Sequence, residues 1–191
     1  MSDTLNERLN QILPRVISDD FLSGSGIGNE IAFYIFDYPP EDELRVREHI
    51  RFLLEHIPKI KPDLRVIHIN LLAFVLDHLR QRGLLDKAIA LQKTKGDAFV
   101  LRQLEKILHP SKLAPAFAAI AKPEQHELVL VSGVGSVYPL LRAHALLNNL
   151  HAILGQTPLV LFYPGCYDGQ ALRLFGKLQQ DHYYRAFKLV P

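Results

Sequence analysis

The last third of this chain repeats one local plan, and that plan limits the fold more than any other feature. Leu128-Val129-Leu130-Val131 is a short run that is apolar at every position. The turn Ser132-Gly133-Val134-Gly135-Ser136 follows, then a helix expected through Leu150. Leu159-Val160-Leu161-Phe162 begins the second copy. It continues through Tyr163-Pro164-Gly165-Cys166-Tyr167-Asp168-Gly169 into a helix expected through Leu178. Runs without a polar alternate mark strands buried on both faces, as in parallel sheets covered by helices. In such sheets the loops beyond the carboxyl ends of the strands meet ligands and partners. The two turns are therefore the first place to look for function.

The rest of the chain fits the same architecture. Leu5, Leu9, Ile12, Leu13 and Val16 recur at helical spacing. Pro14 is expected to kink or end that helix. Ile31–Phe36 reads as a first strand, stopped by Asp37-Tyr38-Pro39-Pro40. A helix follows, with Glu41, Asp42 and Glu43 in its first turn, where the macrodipole favours anions. Val46, Ile50, Leu53, Leu54 and Ile57 form its inner face. Residues 65–69 read as a second strand. Asn70 is positioned to cap a helix running to Arg82, which Gly83 ends. Residues 84–121 are helical in character, broken at Gly96-Asp97 and His109-Pro110, and contain no strand signal. Ala186–Val190 reads as a fifth strand. The expectation is one α/β domain over residues 1–191. It is a three-layer sandwich with a mostly parallel sheet of about five strands and a helical insertion or cap at 84–121.

Composition narrows the class. With 191 residues, 48% hydrophobic and 22% charged, the chain can bury a core and is not of disordered type. No apolar run reaches the roughly 20 residues that span a bilayer, and the N-terminus lacks a signal-peptide pattern. A single cysteine, Cys166, makes no internal disulfide. The expected location is cytoplasmic, with no membrane association. Net charge is +2, but unevenly spread: residues 1–64 hold 7 Lys/Arg against 12 Asp/Glu, and residues 65–191 hold 15 against 8. Charges on solvated helix faces account for this, and direct nucleic-acid binding is not indicated.

Tested one at a time, the familiar site signatures fail. Gly24-x-Gly26-x-Gly28 precedes a strand, whereas a dinucleotide fingerprint follows one. Ser132-Gly133-Val134-Gly135-Ser136 offers backbone N–H groups at a helix start but no lysine for a triphosphate. Cys166 sits at what reads as a strand-to-helix turn, where a thiolate gains from the helix N-terminus. The arginine of a Cys-based phosphatase is nevertheless out of place, with Leu172 in its position and Arg173 one residue late. His144, Asn148 and His151 share a helical face, yet Asn is a poor zinc ligand and no carboxylate joins them. No catalytic residue, metal or cofactor is expected. The candidate interface or ligand positions are Ser132, Gly133, Gly135, Ser136, Val137, Tyr138, Arg142, His144, Tyr163, Pro164, Gly165, Tyr167, Asp168 and Arg185.

Four stretches carry a family resemblance: Asn29–Pro39; Gly135–His144 with Leu147–Leu150; Pro158–Gly165 with Tyr167–Gly169; and Leu172–Gly176 with Tyr183–Phe187. In this order and spacing they resemble the BrxB family of bacteriophage exclusion (BREX) defence systems. The resemblance implies a role in bacterial antiphage defence. Such systems have an adenine methyltransferase (PglX), a protein with an alkaline-phosphatase-like domain (PglZ) and a large ATPase. It implies a non-catalytic adaptor, with a PglZ-like protein and other BREX components as partners. Val137, Tyr138, Tyr163 and Tyr167 would then supply interface anchors. The alternative is a small-ligand or nucleotide-binding domain, enzymatic or not, in which Ser132, Ser136, Arg142, Tyr163 and Asp168 converge. A third reading is nucleic-acid binding by the basic second part.

Overall fold

The structure, a computed structural model, describes residues 4–23, 32–182 and 186–191, and residues 179–182 only in backbone. The glycine loop at 24–28 and the Tyr183-Tyr184-Arg185 segment lie outside the described residues. Helices α1 (Thr4–Val16) and α2 (Asp19–Ser23) precede β1 (Phe33–Tyr38). A 3-10 turn at Pro40–Asp42 leads into α3 (Glu43–Ile60), then β2 (Val66–Asn70). Four helices follow without a strand: α4 (Leu71–Gln81), α5 (Leu85–Lys95), α6 (Asp97–Glu105) and α7 (Pro110–Ala121). Then come β3 (Leu128–Ser132), the single-turn α8 (Val134–Val137), α9 (Ala143–Leu154) and β4 (Leu159–Tyr167). Last are β5 (Ala171–Leu174), β6 (Leu178–His182) and β7 (Phe187–Lys188).

Five strands pair in parallel in the order β2-β3-β4-β1-β7, while β5 and β6 extend the far end of β4 as an antiparallel hairpin. The chain leaves β1 in one direction to reach β2, then returns through β3 to β4. Strand-helix-strand crossovers are right-handed, so reversing the direction of travel moves the connecting helices to the other face. That is observed. Val46, Ile50, Leu53 and Ile57 of α3 pack with Tyr34, Phe36, Leu130 and Phe162 in a core that also takes Leu5, Leu9, Ile12 and Val16 of α1. On the opposite face, Phe33, Ile35, Val129, Val131 and Leu161 pack under α4, α7 and α9. Successive strand residues thus enter alternate cores, which is why these strands are apolar at every position.

Several local expectations hold. The Asn70 side chain caps α4, accepting from the N–H groups of Leu72 and Ala73 at 3.1 Å each. The helical insertion breaks at Gly96, with φ of 79°, and at His109-Pro110. Others are corrected. Pro14 does not end α1, which runs two residues past it to Val16. The helix after β3 is two pieces, because Pro139 lacks the N–H that would carry α8 onward. No helix follows the second copy: β4 runs on to Tyr167 and the chain turns back as β5 and β6. Cys166 therefore lies inside an extended strand, opposite Arg173, with an exposed thiol and no helix start beside it. The parallel part of the sheet has the five strands expected, and among the described residues β5 and β6 add an antiparallel hairpin to it.

Candidate functional site

The carboxyl ends of β2 and β3 and the inner face of α3 enclose a cleft of about 330 Å³. Arg47, Ile50, Arg51 and Leu54 line it from α3, His68 and Asn70 from β2, and Ser132 from β3. Strand pairing sets these residues side by side: His68 is opposite Leu130 and Asn70 opposite Ser132. His68 Nε2 lies 2.8 Å from Ser132 Oγ, and Asn70 Nδ2 donates to the same oxygen at 3.4 Å. Because Asn70 Oδ1 already faces the α4 N–H groups, its amide N–H₂ must face Ser132. Gly133 follows with φ of 77°, and a Cβ there would sit 2.7 Å from Asn70 Oδ1. Glycine is thus required both by the backbone conformation and by the closeness of the cap.

At the mouth, Arg47 Nε donates to Glu43 Oε1 at 2.8 Å and its terminal nitrogen to Ser136 Oγ at 3.2 Å. One helical turn on, Arg51 has no hydrogen bond or ion pair among the described residues. Burial holds the His68 imidazole below its usual pKa, so it is neutral at neutral pH. A Ser–His pair at this distance has the spacing of a nucleophile and its base. Among the described residues, however, no carboxylate lines the cleft to orient the imidazole. The convergence of guanidinium, amide, hydroxyl and imidazole groups is chemistry for holding an anion.

The predicted positions divide sharply. Ser132, Gly133 and Ser136 belong to this cleft or its rim, whereas Arg142, Tyr163 and Asp168 do not line it. Gly135 packs against Pro164 and Phe175, fixing α8 to the hairpin. Val137, Tyr163 and Tyr167 are 0%, 0% and 1% exposed, so they belong to the core and cannot anchor a surface contact. Burial pushes the Tyr163 hydroxyl well above its usual pKa, and the buried oxygen has no hydrogen-bond partner among the described residues. Tyr167 donates to the Ala186 carbonyl at 2.8 Å, and its pKa is pushed up to about 12 by burial. Asp168 closes the β4–β5 turn by accepting from the N–H groups of Gln170 and Ala171, and these bonds hold its carboxyl below the usual range. Gly165 lies directly against the Arg173 carbonyl. His144 is buried and Arg142 exposed at the start of α9. Arg185 lies outside the described residues. Among the described residues no group of three His, Cys, Asp or Glu side chains is gathered for a metal ion.

Sequence reasoning missed Arg47, Arg51 and His68. The available signal was His68 itself, a polar residue in the apolar run Val66–Ile69, at the sheet edge where ligands bind.

A second concavity, about 370 Å³, lies on the other face. Leu79, Leu85, Ile89, Val100 and Leu104 from α4, α5 and α6 meet Tyr138-Pro139-Leu140 there. Tyr138 is half-buried and stands edge-on to Phe175. It is the one proposed anchor that stays accessible. Among the described residues no helix is long and apolar enough to cross a membrane.

Fold and site together define an α/β protein with a polar cleft at the carboxyl edge of a parallel sheet and a helical annex bearing an apolar groove. The family model for "BREX protein BrxB" matches residues 67–189, and the chain belongs to that family. It is 40% identical over 188 residues to the BREX protein BrxB of Bacillus cereus (strain H3081.97), covering 97% of each chain. It is 38% identical over 187 residues to the BREX protein BrxB of Escherichia coli O9:H4 (strain HS), covering 98% of this chain and 92% of that one. No solved structure gives a significant match.

Proposed function

We propose that this protein is a non-catalytic adaptor of a BREX antiphage system that docks on a PglZ-type partner through the groove of its helical annex. Membership of the BrxB family supports the system. The observation that carries the docking surface is the groove itself. Ile89 lines it while 43% exposed, and Leu91 on the same helix is 36% exposed. Apolar side chains left in water around a concavity mark an interaction site. The surrounding segment, residues 80–112, holds eight Lys/Arg against three Asp/Glu. The complementary partner surface is an apolar anchor framed by carboxylates, since matched charge steers encounter and fixes register.

The test is calorimetry with purified PglZ from the same system. The expected result is micromolar or tighter binding, weakened at least about tenfold by Ile89→Asp, which places an unpaired anion at the apolar contact. Circular dichroism checks that the variant, altered at an exposed position, remains folded. No binding by the wild-type protein defeats the partner assignment. Unchanged binding by the variant defeats the groove.

A further inference from the structure

We propose that the cleft beneath α3 binds a small phosphomonoester, a phosphorylated molecule about the size of a nucleoside monophosphate. This goes beyond the adaptor reading and involves the opposite face of the sheet.

Charge is the first argument. Two guanidinium groups, Arg47 and Arg51, face a cleft to which no described carboxylate contributes. Arg47 is partly neutralised by Glu43, but Arg51 has no counter-ion among the described residues. A planar fork of N–H donors without a carboxylate matches phosphate oxygens in pairs.

The floor is the second. Ser132 is 4% exposed and held by two neighbours, with Asn70 donating to its oxygen. Neutral His68 satisfies the pair in either tautomer: Nε2 accepts from the Ser132 hydroxyl, or it donates to that oxygen and leaves the hydroxyl proton for a ligand. These groups are positioned before any ligand arrives. Helix α4, 11 residues long, begins directly after Asn70 and presents its positive end to the same edge of the sheet.

Size and polarity are the third. At about 330 Å³ the cleft exceeds a bare phosphate and sits at the lower end of small-molecule sites, roughly 300–1,000 Å³. Ile50 and Leu54 form an apolar wall beside the cations. That wall suits the uncharged part of the ligand, a base or a sugar ring, with the phosphate on Arg51, Arg47 and the Ser132 side.

Calorimetric titration of the full chain with AMP, ribose 5-phosphate, inorganic phosphate and a 5′-phosphorylated oligonucleotide tests this. The proposal expects saturable binding of AMP or ribose 5-phosphate, tighter than inorganic phosphate. It expects a loss of about tenfold or more in Arg51→Gln and partial recovery in Arg51→Lys, which restores charge but not the fork. Arg51 is exposed and unpaired, so the free variant should unfold at the wild-type temperature. No saturable binding at millimolar ligand overturns the proposal, as does equal affinity in Arg51→Gln. Inorganic phosphate bound as tightly as the organic esters removes the role of Ile50 and Leu54. An oligonucleotide bound tenfold more tightly than AMP replaces a small ligand with a nucleic-acid end. Arg51→Gln leaves the annex groove untouched, so this result and the PglZ result are read separately.

Discussion

The two copies of the strand-turn plan look alike as text and become different structures. After β3 the chain makes a short turn through Gly133 into α8, leaving polar side chains at the sheet edge around an open cleft. After β4 it stays extended to Tyr167 and folds back as a hairpin that buries Tyr167, Ala171, Leu172 and Leu174. What separates them is the residue pattern after the glycine. Val134, Val137 and Leu141 recur at helical spacing and are buried. By contrast, Leu172, Arg173 and Leu174 alternate buried, exposed, buried. The Asp168-Gly169 and Phe175-Gly176 turns bracket that alternation, and Phe175 and Gly176 both adopt positive φ, at 56° and 68°. The lesson is that an apolar run fixes a strand, while the function of its end is decided by the next eight or so residues.

The sharpest way to break this comparison is Gly165→Ala. A methyl group at that position runs into the Arg173 backbone carbonyl, which cannot rotate away. Urea unfolding should show a loss of about 3 kcal/mol, the upper range for overpacking. A loss well under 1 kcal/mol would mean that the hairpin shifts freely on β4. The first copy is expected to give more easily, because its close contact is with a side chain. Gly133→Ala should cost about 2 kcal/mol in the wild-type protein and about 1 kcal/mol in an Asn70→Ala background, where only the strain at positive φ remains. Equal costs in the two backgrounds would uncouple Gly133 from the α4 cap. The smallest effect separates the two faces by pH. Burial lowers the pKa of His49, His68 and His78 below the ordinary 6.5. The unfolded chain then binds protons first, so stability is complete above pH 6.5 and declines as pH falls through the lowered values. Thermal unfolding between pH 7 and pH 5 should show this fall, and His68→Asn should make it shallower. A stability that rose on acidification would contradict the burial of these imidazoles.

Much of the fold could be read in the residues because burial leaves a local trace. Continuous apolar runs gave the central strands, and Asn70, Gly96 and His109-Pro110 gave helix boundaries, since caps and breaks act within a few residues. The hairpin was legible only in part: Leu174 and Leu178 are four apart, as on one face of a helix, while Leu172 and Leu174 alternate, as on a strand. The cleft was half legible. Ser132 and Ser136 stood out by their turn, but Arg47 and Arg51 reach them only because α3 crosses the sheet, and pairing of distant strands leaves no mark on a helix surface. Val137, Tyr163 and Tyr167 read as surface anchors because they follow apolar strands in glycine-containing turns. Continuation of β4 and packing of α8 put them in the core instead.

The strand order also sets a timetable. β1 pairs with β4 and β7, and its first partner residue, Leu159, lies 126 positions after Phe33. At about 5–20 residues per second, a ribosome takes roughly 6 to 25 seconds to supply that partner. Until then Phe33, Tyr34, Ile35 and Phe36, all later buried, have no strand beside them. During synthesis this segment is an exposed sticky edge, and the newborn chain stays at risk of aggregation until β4 appears.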